Sequence, residues 1–264
     1  MIPKVRRPAS RRMITLEVLA NTAPSPAFRT ITLGGPSVAD LEVAGDDQAV
    51  RLFFPRVGQE GLRMPTLDNE GWMAEVLLLP KSRRPWVRNY TIRRARPGEI
   101  DIEFALHDGD APAAAWARRA RPGDPAGIFD LGVSYLPPPG VAWQLLAGDE
   151  SAVPAILAIL ESAADDLVAE VFLEVPSAAD VREVSTPPGV RMHWLPRLRP
   201  DRPGVLALET VRAADLPPGR AYAWVAGEAA LATGVRRHLV RDRGWAKPDI
   251  AFLGYWRHGR AAPG

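Results

Sequence analysis

Arg88 and Tyr90 stand two residues apart in V-R-N-Y-T-I-R-R, the stretch from Val87 to Arg94. Val, Tyr, Thr and Ile favour an extended strand, and on a strand residues i and i+2 share a face. That face would carry a fork of N–H donors beside an aromatic plate. A guanidinium pairs with phosphate through two charge-assisted hydrogen bonds, and a phenol ring lies well against a flat conjugated ring. The pair suits the two ends of a flavin nucleotide, with Thr91 offering a short hydroxyl to a ring nitrogen. The stretch alone also reads as an exposed strand whose Arg and Tyr only cover apolar surface, so the rest of the chain has to decide.

The elements around it are short and β-like. Met13–Leu19 and Arg29–Leu33 alternate in polarity, with a Gly-Gly-Pro turn at 34–36, and Val50–Pro55 puts Arg51 on the opposite face from Leu52 and Phe54. Met73–Leu79 reads as a further strand. Glu99–His107 is the cleanest period-2 segment, with Ile100, Ile102, Phe104 and Leu106 facing in. Strands of this spacing broken by Gly and Pro turns predict a small antiparallel barrel. An Ala-rich helix follows, with Pro112 in its first turn, where a missing N–H costs nothing. It reads equally as a barrel cap or as a helix start offering free amides to a phosphate.

Beyond Pro137-Pro138-Pro139-Gly140, the expected linker, the pattern alternates strand and helix. Strands are expected at Trp143–Ala147, Leu167–Val175, Arg191–Leu195, Ala221–Ala226 and Ile250–Trp256, and helices at Ser151–Glu161 and Ala229–Arg243. Alternation of this kind implies a parallel sheet, whose ligands sit beyond the C-terminal strand ends. Two strands end in small, acidic turns, Gly148-Asp149-Glu150-Ser151 and Gly227-Glu228. Both could line one crevice, although each also reads as an ordinary strand-to-helix turn with a capping acid.

Composition narrows the chemistry. The 264 residues hold no cysteine, which excludes disulfides, thiolate metal sites, Fe–S clusters and a cysteine nucleophile. The four histidines are scattered, so no protein-bound metal is expected. Thirty-three basic residues face 31 acidic ones, a net charge of +2, without the excess of a general nucleic-acid surface. No apolar run is long enough to span a bilayer, and the basic N-terminus lacks the apolar core of a secretory signal. The expectation is a cytoplasmic monomer with no nucleic-acid and no membrane partner.

Together these pieces resemble the siderophore-interacting proteins, the ferric-siderophore reductase branch of the ferredoxin-reductase-like flavoproteins. The likeness rests on R-T-I-T-L-G-G-P, D-D-Q-A-V-R-L-F-F-P, R-N-Y-T-I-R-R, H-D-G-D-A-P-A-A-A-W, P-G-D at 122–124, A-G-D-E-S-A-V-P-A-I, W-V-A-G-E-A and G-Y-W-R-H-G-R, in that order. It implies a two-domain α+β chain: an antiparallel FAD-binding barrel over residues 1–137, then an α/β parallel-sheet domain for NADPH or NADH over 138–264. Arg88 would meet the FAD pyrophosphate, Tyr90 the isoalloxazine and Thr91 its N5 edge, the last two forming the catalytic pair. His107, Gly109, Ala111, Pro112, Ala113 and Ala114 would wrap the rest of FAD. Gly148, Asp149, Glu150, Ser151, Gly227 and Glu228 would border the nicotinamide crevice, with Tyr255 and Trp256 near the stacked rings. Arg51 and Arg257, as exposed charges, would receive an anionic ferric siderophore.

The implied reaction moves electrons from the nicotinamide through FAD to siderophore-bound Fe(III), releasing ferrous iron. The sequence departs from the family pattern in three places. H-D-G-D-A-P-A-A stands for the usual H-G-D-x-G-P-A-S, Phe129-Asp130 for Gly-Pro, and Ala49 for a His two places before Arg51, itself in place of Lys. These motivate a second reading, the same scaffold repurposed in a biosynthetic pathway with another redox substrate or a non-redox role; the Arg-rich composition leaves a third, a non-enzymatic anion- or nucleic-acid-binding protein.

Overall fold

In the computed structural model, residues 4–106, 111–198 and 202–260 are described. They fall into two compact units, one spanning Arg6–Val133 and one beginning at Ser134. The expected linker at 137–140 therefore lies inside the second unit. Ser134 Oγ accepts from Trp224 Nε1, and Leu136 N donates to the Tyr222 hydroxyl.

The first unit is a closed barrel of six antiparallel strands in the order β1-β2-β5-β4-β3-β6. They are β1 (Met13–Ser25), β2 (Phe28–Gly34), β3 (Ala49–Phe54), β4 (Trp86–Arg96), β5 (Glu99–Ala105) and β6 (Pro125–Gly132). Alternation fills the barrel: Ile14, Leu16 and Val18 from β1, Val50, Leu52 and Phe54 from β3, and Ile100, Ile102 and Phe104 from β5 are all buried. Two helices accompany it, α1 (Trp72–Leu78) and α2 (Pro112–Arg119). Trp116 of α2 enters the core against Phe54 and Phe104.

The segment expected as a strand at Met73–Leu79 is helix α1. A closed barrel leaves no free edge to pair with, so this run must satisfy its backbone internally. Asn69 Oδ1 accepts from Gly71 N, and Glu75 accepts from Thr66 N just ahead of the helix. Only Trp72 of α1 is buried, in an outer cluster with Phe53 and Phe129.

The second unit holds a five-stranded parallel sheet, ordered β11-β10-β7-β8-β9. Its strands are β7 (Trp143–Gly148), β8 (Ala169–Val175), β9 (Val190–Pro196), β10 (Ala221–Glu228) and β11 (Ile250–Trp256), joined through α3 (Val153–Glu161), α4 (Val205–Ala213) and α5 (Ala229–Arg241). Helix α4 is formed by an apolar run within the proline-rich stretch from Pro196 to Pro218. Leu145, Ala147, Ala223 and Val225 pack with Ala207 and Val211 of α4 and with Leu231 and Val235 of α5. The chain starts at central β7, moves out to β8 and β9, then returns to the other side of β7 with β10. Strand order reverses between β7 and β10, and such a switch point opens a crevice at the C-terminal strand ends.

Candidate functional site

Strand β4 carries the first group of candidates. Its register against β3 pairs Arg88 with Leu52, Tyr90 with Val50 and Thr91 with Ala49, without a shift. Paired residues share a face, so Arg88 and Tyr90 lie on one side and Thr91 on the other. Tyr90 rests on Phe104, ring centroids 4.2 Å apart, and is half-buried. Burial, partly opposed by Arg88, pushes its phenol well above the ordinary value. Tyr90 is therefore a neutral ring face near pH 7, not an acid or base. Arg88 donates to the Val87 carbonyl at 2.7 Å and lies 5.0 Å from the Trp86 ring centroid. Half-burial lowers its pKa, yet it stays charged.

Helix α2 starts with Pro112 in its first turn and Ala111 at the cap, and no side chain caps it. The amides of Ala113 and Ala114 thus begin a helix whose positive dipole end has no acidic side chain of its own. His107 and Gly109 lie outside the described residues.

Arg51 departs from expectation. It faces outward, but it is half-buried rather than an exposed charge: Nη1 donates to Asn89 Oδ1 and the guanidinium lies 6.0 Å from the Trp72 ring centroid. The folding back of residues 62–76 over this side of the barrel causes the burial, which lowers the Arg51 pKa against an opposing pull from Glu70. One of the three departures from the family pattern, Phe129-Asp130, is absorbed nearby. Phe129 packs against Trp72, and Asp130 is buried, with Gln48 Nε2 donating to Oδ2 and Gly132 N to Oδ1. Burial raises the Asp130 pKa.

The switch point of the parallel sheet carries the second group, and here the acids turn out to be structural. Asp149, fully buried, accepts at Oδ1 from Ser151 N (2.9 Å) and Ser151 Oγ (2.6 Å). At Oδ2 it accepts from Glu228 N (2.6 Å) and Trp256 Nε1 (3.1 Å). One carboxylate thus ties together the ends of β7, β10 and β11. Burial first, and Glu150 second, push its pKa up to about 6. Glu228 caps α5 by accepting from Ala230 N and Leu231 N, and its other oxygen accepts from His258 N. Both acids accept from the chain's own donors and so brace the strand ends at the switch point.

The glycines have the same purpose. Gly227 sits at φ +126°, where a Cβ would lie 2.7 Å from the Asp149 carboxylate; at Gly148 it would collide with the Ala152 methyl. Tyr255 is 40% exposed, edge-on to Trp224 with centroids 6.5 Å apart, and offers an accessible ring next to Trp256. Arg257 is exposed.

Sequence reasoning missed the ion network behind the crevice. Arg197 donates from Nη1 and Nη2 to the two oxygens of Glu150 (2.7 and 3.0 Å), and also from Nη1 to Glu174 (2.8 Å). Glu174, fully buried, also accepts from Gly204 N and Ala207 N and so caps α4. Among the described residues there is no group of three or more His, Cys, Asp or Glu placed to hold a metal, and no helix is long and apolar enough to cross a membrane.

Comparison with known proteins bears on both units. Residues 17–135 match the siderophore-interacting FAD-binding domain, and residues 141–259 match the family described as siderophore-interacting protein. Ferric vibriobactin reductase ViuB of Vibrio cholerae is 30% identical over 237 residues, covering 87% of this chain and 84% of its own. An uncharacterised protein of Mycobacterium tuberculosis, Rv2895c, is 34% identical over 96% of this chain and 93% of its own. The crystal structure of a siderophore utilization protein from T. fusca superposes with a TM-score of 0.83 at 29% identity, covering 99% of each chain.

Proposed function

The chain belongs to the siderophore-interacting protein family, and from that premise we propose that it is a flavoprotein reductase passing electrons from NAD(P)H to siderophore-bound ferric iron. The observation that carries the reading is the presence in one chain of two complementary halves: the Arg88–Tyr90 face on β4, and a parallel sheet whose switch point is held open by Asp149. The donor chemistry fits FAD. Arg88 and the uncapped start of α2 suit a pyrophosphate and Tyr90 supplies a neutral ring face, whereas Thr91 is buried on the opposite side of β4.

FAD supplies what side chains cannot, conversion of a two-electron hydride donor into a one-electron donor. The residues bind and orient. Arg88 neutralises the pyrophosphate. Gly148 and Gly227 keep Cβ atoms out of the switch point, Asp149 fixes Trp256 through its indole N–H, and Tyr255 and Trp256 provide surface for the nicotinamide. In this reading the unit Arg6–Val133 is the FAD domain and the unit beginning at Ser134 the nicotinamide domain. Each NAD(P)H yields two electrons and so reduces two Fe(III) to Fe(II), which hard anionic oxygens hold far less tightly. Arg257 offers an anionic ferric complex an exposed cation.

The half-burial of Arg51 favours one second reading, a flavin-binding member of the scaffold that delivers electrons to an acceptor other than iron. Anaerobic titration of the FAD-loaded protein with NADPH and NADH tests the shared part. Bleaching of the flavin band by either nucleotide supports both readings, and an unchanged band defeats both. Reoxidation by a ferric siderophore then supports the first reading; reoxidation by ferricyanide alone supports the second.

A further inference from the structure

The connection between β3 and β4 carries apolar side chains that the fold leaves uncovered. Leu78 is 85% exposed, Leu77 63% and Val57 81%, whereas Trp72 on the same short helix is buried. Their setting is ordered by hydrogen bonds. Arg84 donates from Nη2 to the Leu77 carbonyl (2.6 Å) and from Nε to the Leu79 carbonyl (2.8 Å), closing the C-terminal end of α1. Gln59 Nε2 donates to the carbonyls of Ser82 and Arg84, and Arg56 Nε also donates to the latter. These bonds hold the segment bearing Val57 against the turn that follows Leu78.

Charge at this tip is one-sided. Lys81 and Arg83 are exposed, and neither has an ion-pair partner among the described residues. The acids of the same connection are engaged elsewhere: Glu70 pairs with Arg11, Asp68 accepts from Met13 N, and Glu75 accepts from Thr66. Glu60 is the remaining carboxylate of this connection and is exposed.

We propose that this tip docks on the surface of an anionic lipid bilayer, with Val57, Leu77 and Leu78 entering the interfacial layer and Lys81 and Arg83 meeting headgroup phosphates. Side chains this exposed protrude and form no groove. Three protrusions and two cations fall well short of the roughly 1,000 Å² that a stable protein partner needs. A bilayer needs only shallow apolar insertion and adjacent cations. No spanning segment is required, so the lack of a long apolar run does not bear on it. The inference is independent of the redox reading.

Flotation of the FAD-loaded full chain with phosphatidylcholine vesicles, with or without phosphatidylglycerol, is the test. Binding is expected only to the phosphatidylglycerol-containing vesicles, and it should fall with added salt. Lys81→Gln/Arg83→Gln should weaken it about 30-fold, from roughly 1 kcal/mol per cation near the surface, and Leu77→Ser/Leu78→Ser about tenfold. Both variants should keep the parental melting temperature and flavin content, because these side chains lie outside the core. The proposal is overturned by absent or equal binding to the two vesicle types, or by full binding of either double variant. It is also overturned if the parent is a dimer that Leu77→Ser/Leu78→Ser converts to a monomer, which would assign the patch to a second copy.

Discussion

Gly227→Ala probes the switch point directly. At φ +126° the backbone is in a region that L residues rarely adopt, and the new methyl would stand 2.7 Å from all three carboxylate atoms of Asp149. Asp149 is held by Ser151 N, Ser151 Oγ, Glu228 N and Trp256 Nε1, so it cannot retreat without loosening them. Backbone strain of this kind costs about 1–3 kcal/mol, and weakening one or two hydrogen bonds to a charged acceptor adds about 2 kcal/mol. The total, about 4 kcal/mol, is a large share of a typical domain's 5–15 kcal/mol. It should lower the melting temperature of this unit by about 10 °C. Gly140→Ala is the control: φ is +75°, but a Cβ there meets nothing within 4 Å, so only strain remains, about 1 kcal/mol. Differential scanning calorimetry with NAD(P)H titration of flavin reduction reads both variants. Melting temperatures within about 2 °C of each other would refute the crowding argument.

Arg88→Ala should weaken FAD binding about 30-fold, the loss of a charge-assisted contact of about 2 kcal/mol; fluorescence titration giving less than a threefold change would remove Arg88 from the cofactor site. The Trp256 indole N–H resonance should titrate with a midpoint near pH 6, because its acceptor is Asp149, and the titration should vanish in Asp149→Asn. Since the folded value lies above the ordinary 3.8, Asp149 stabilises the fold most below about pH 4, and its contribution declines as pH rises to about 6; stability contributed by this group that increased across that interval would contradict the assignment. Arg197→Ala leaves Glu150 and Glu174 buried without their shared cation and should cost about 3–5 kcal/mol in urea denaturation, with Arg197→Lys intermediate.

Local pattern and distant contact divide what the sequence reveals. The alternation of Ile100, Ile102 and Phe104 was legible because a strand with one face in the core writes its period into the chain. Met73–Leu79 was not: an apolar run of this length suits either element, and barrel closure, a property of six strands together, decides for helix. The Gly-acid turns after β7 and β10 were legible as strand ends with a capping acid, which Glu228 is for α5. The role of Asp149 was not, because its donors Glu228 and Trp256 are 79 and 107 residues away. The same holds for Arg197, 47 residues from Glu150. The burial of Arg51 follows from the folding back of a connection that carries no periodic signal.

The proposed electron flow from a nicotinamide to iron is measured most directly by the stoichiometry of a single anaerobic reaction. FAD-loaded protein, limiting NADPH or NADH and an excess of ferric siderophore are mixed with a ferrous-specific chelator, and nicotinamide absorbance and the ferrous complex are followed together. Two ferrous ions should appear for each nicotinamide oxidised, as the two-electron to one-electron conversion requires. Oxidation of the nicotinamide with no ferrous iron formed, or no oxidation with a fully loaded flavin, would contradict the account.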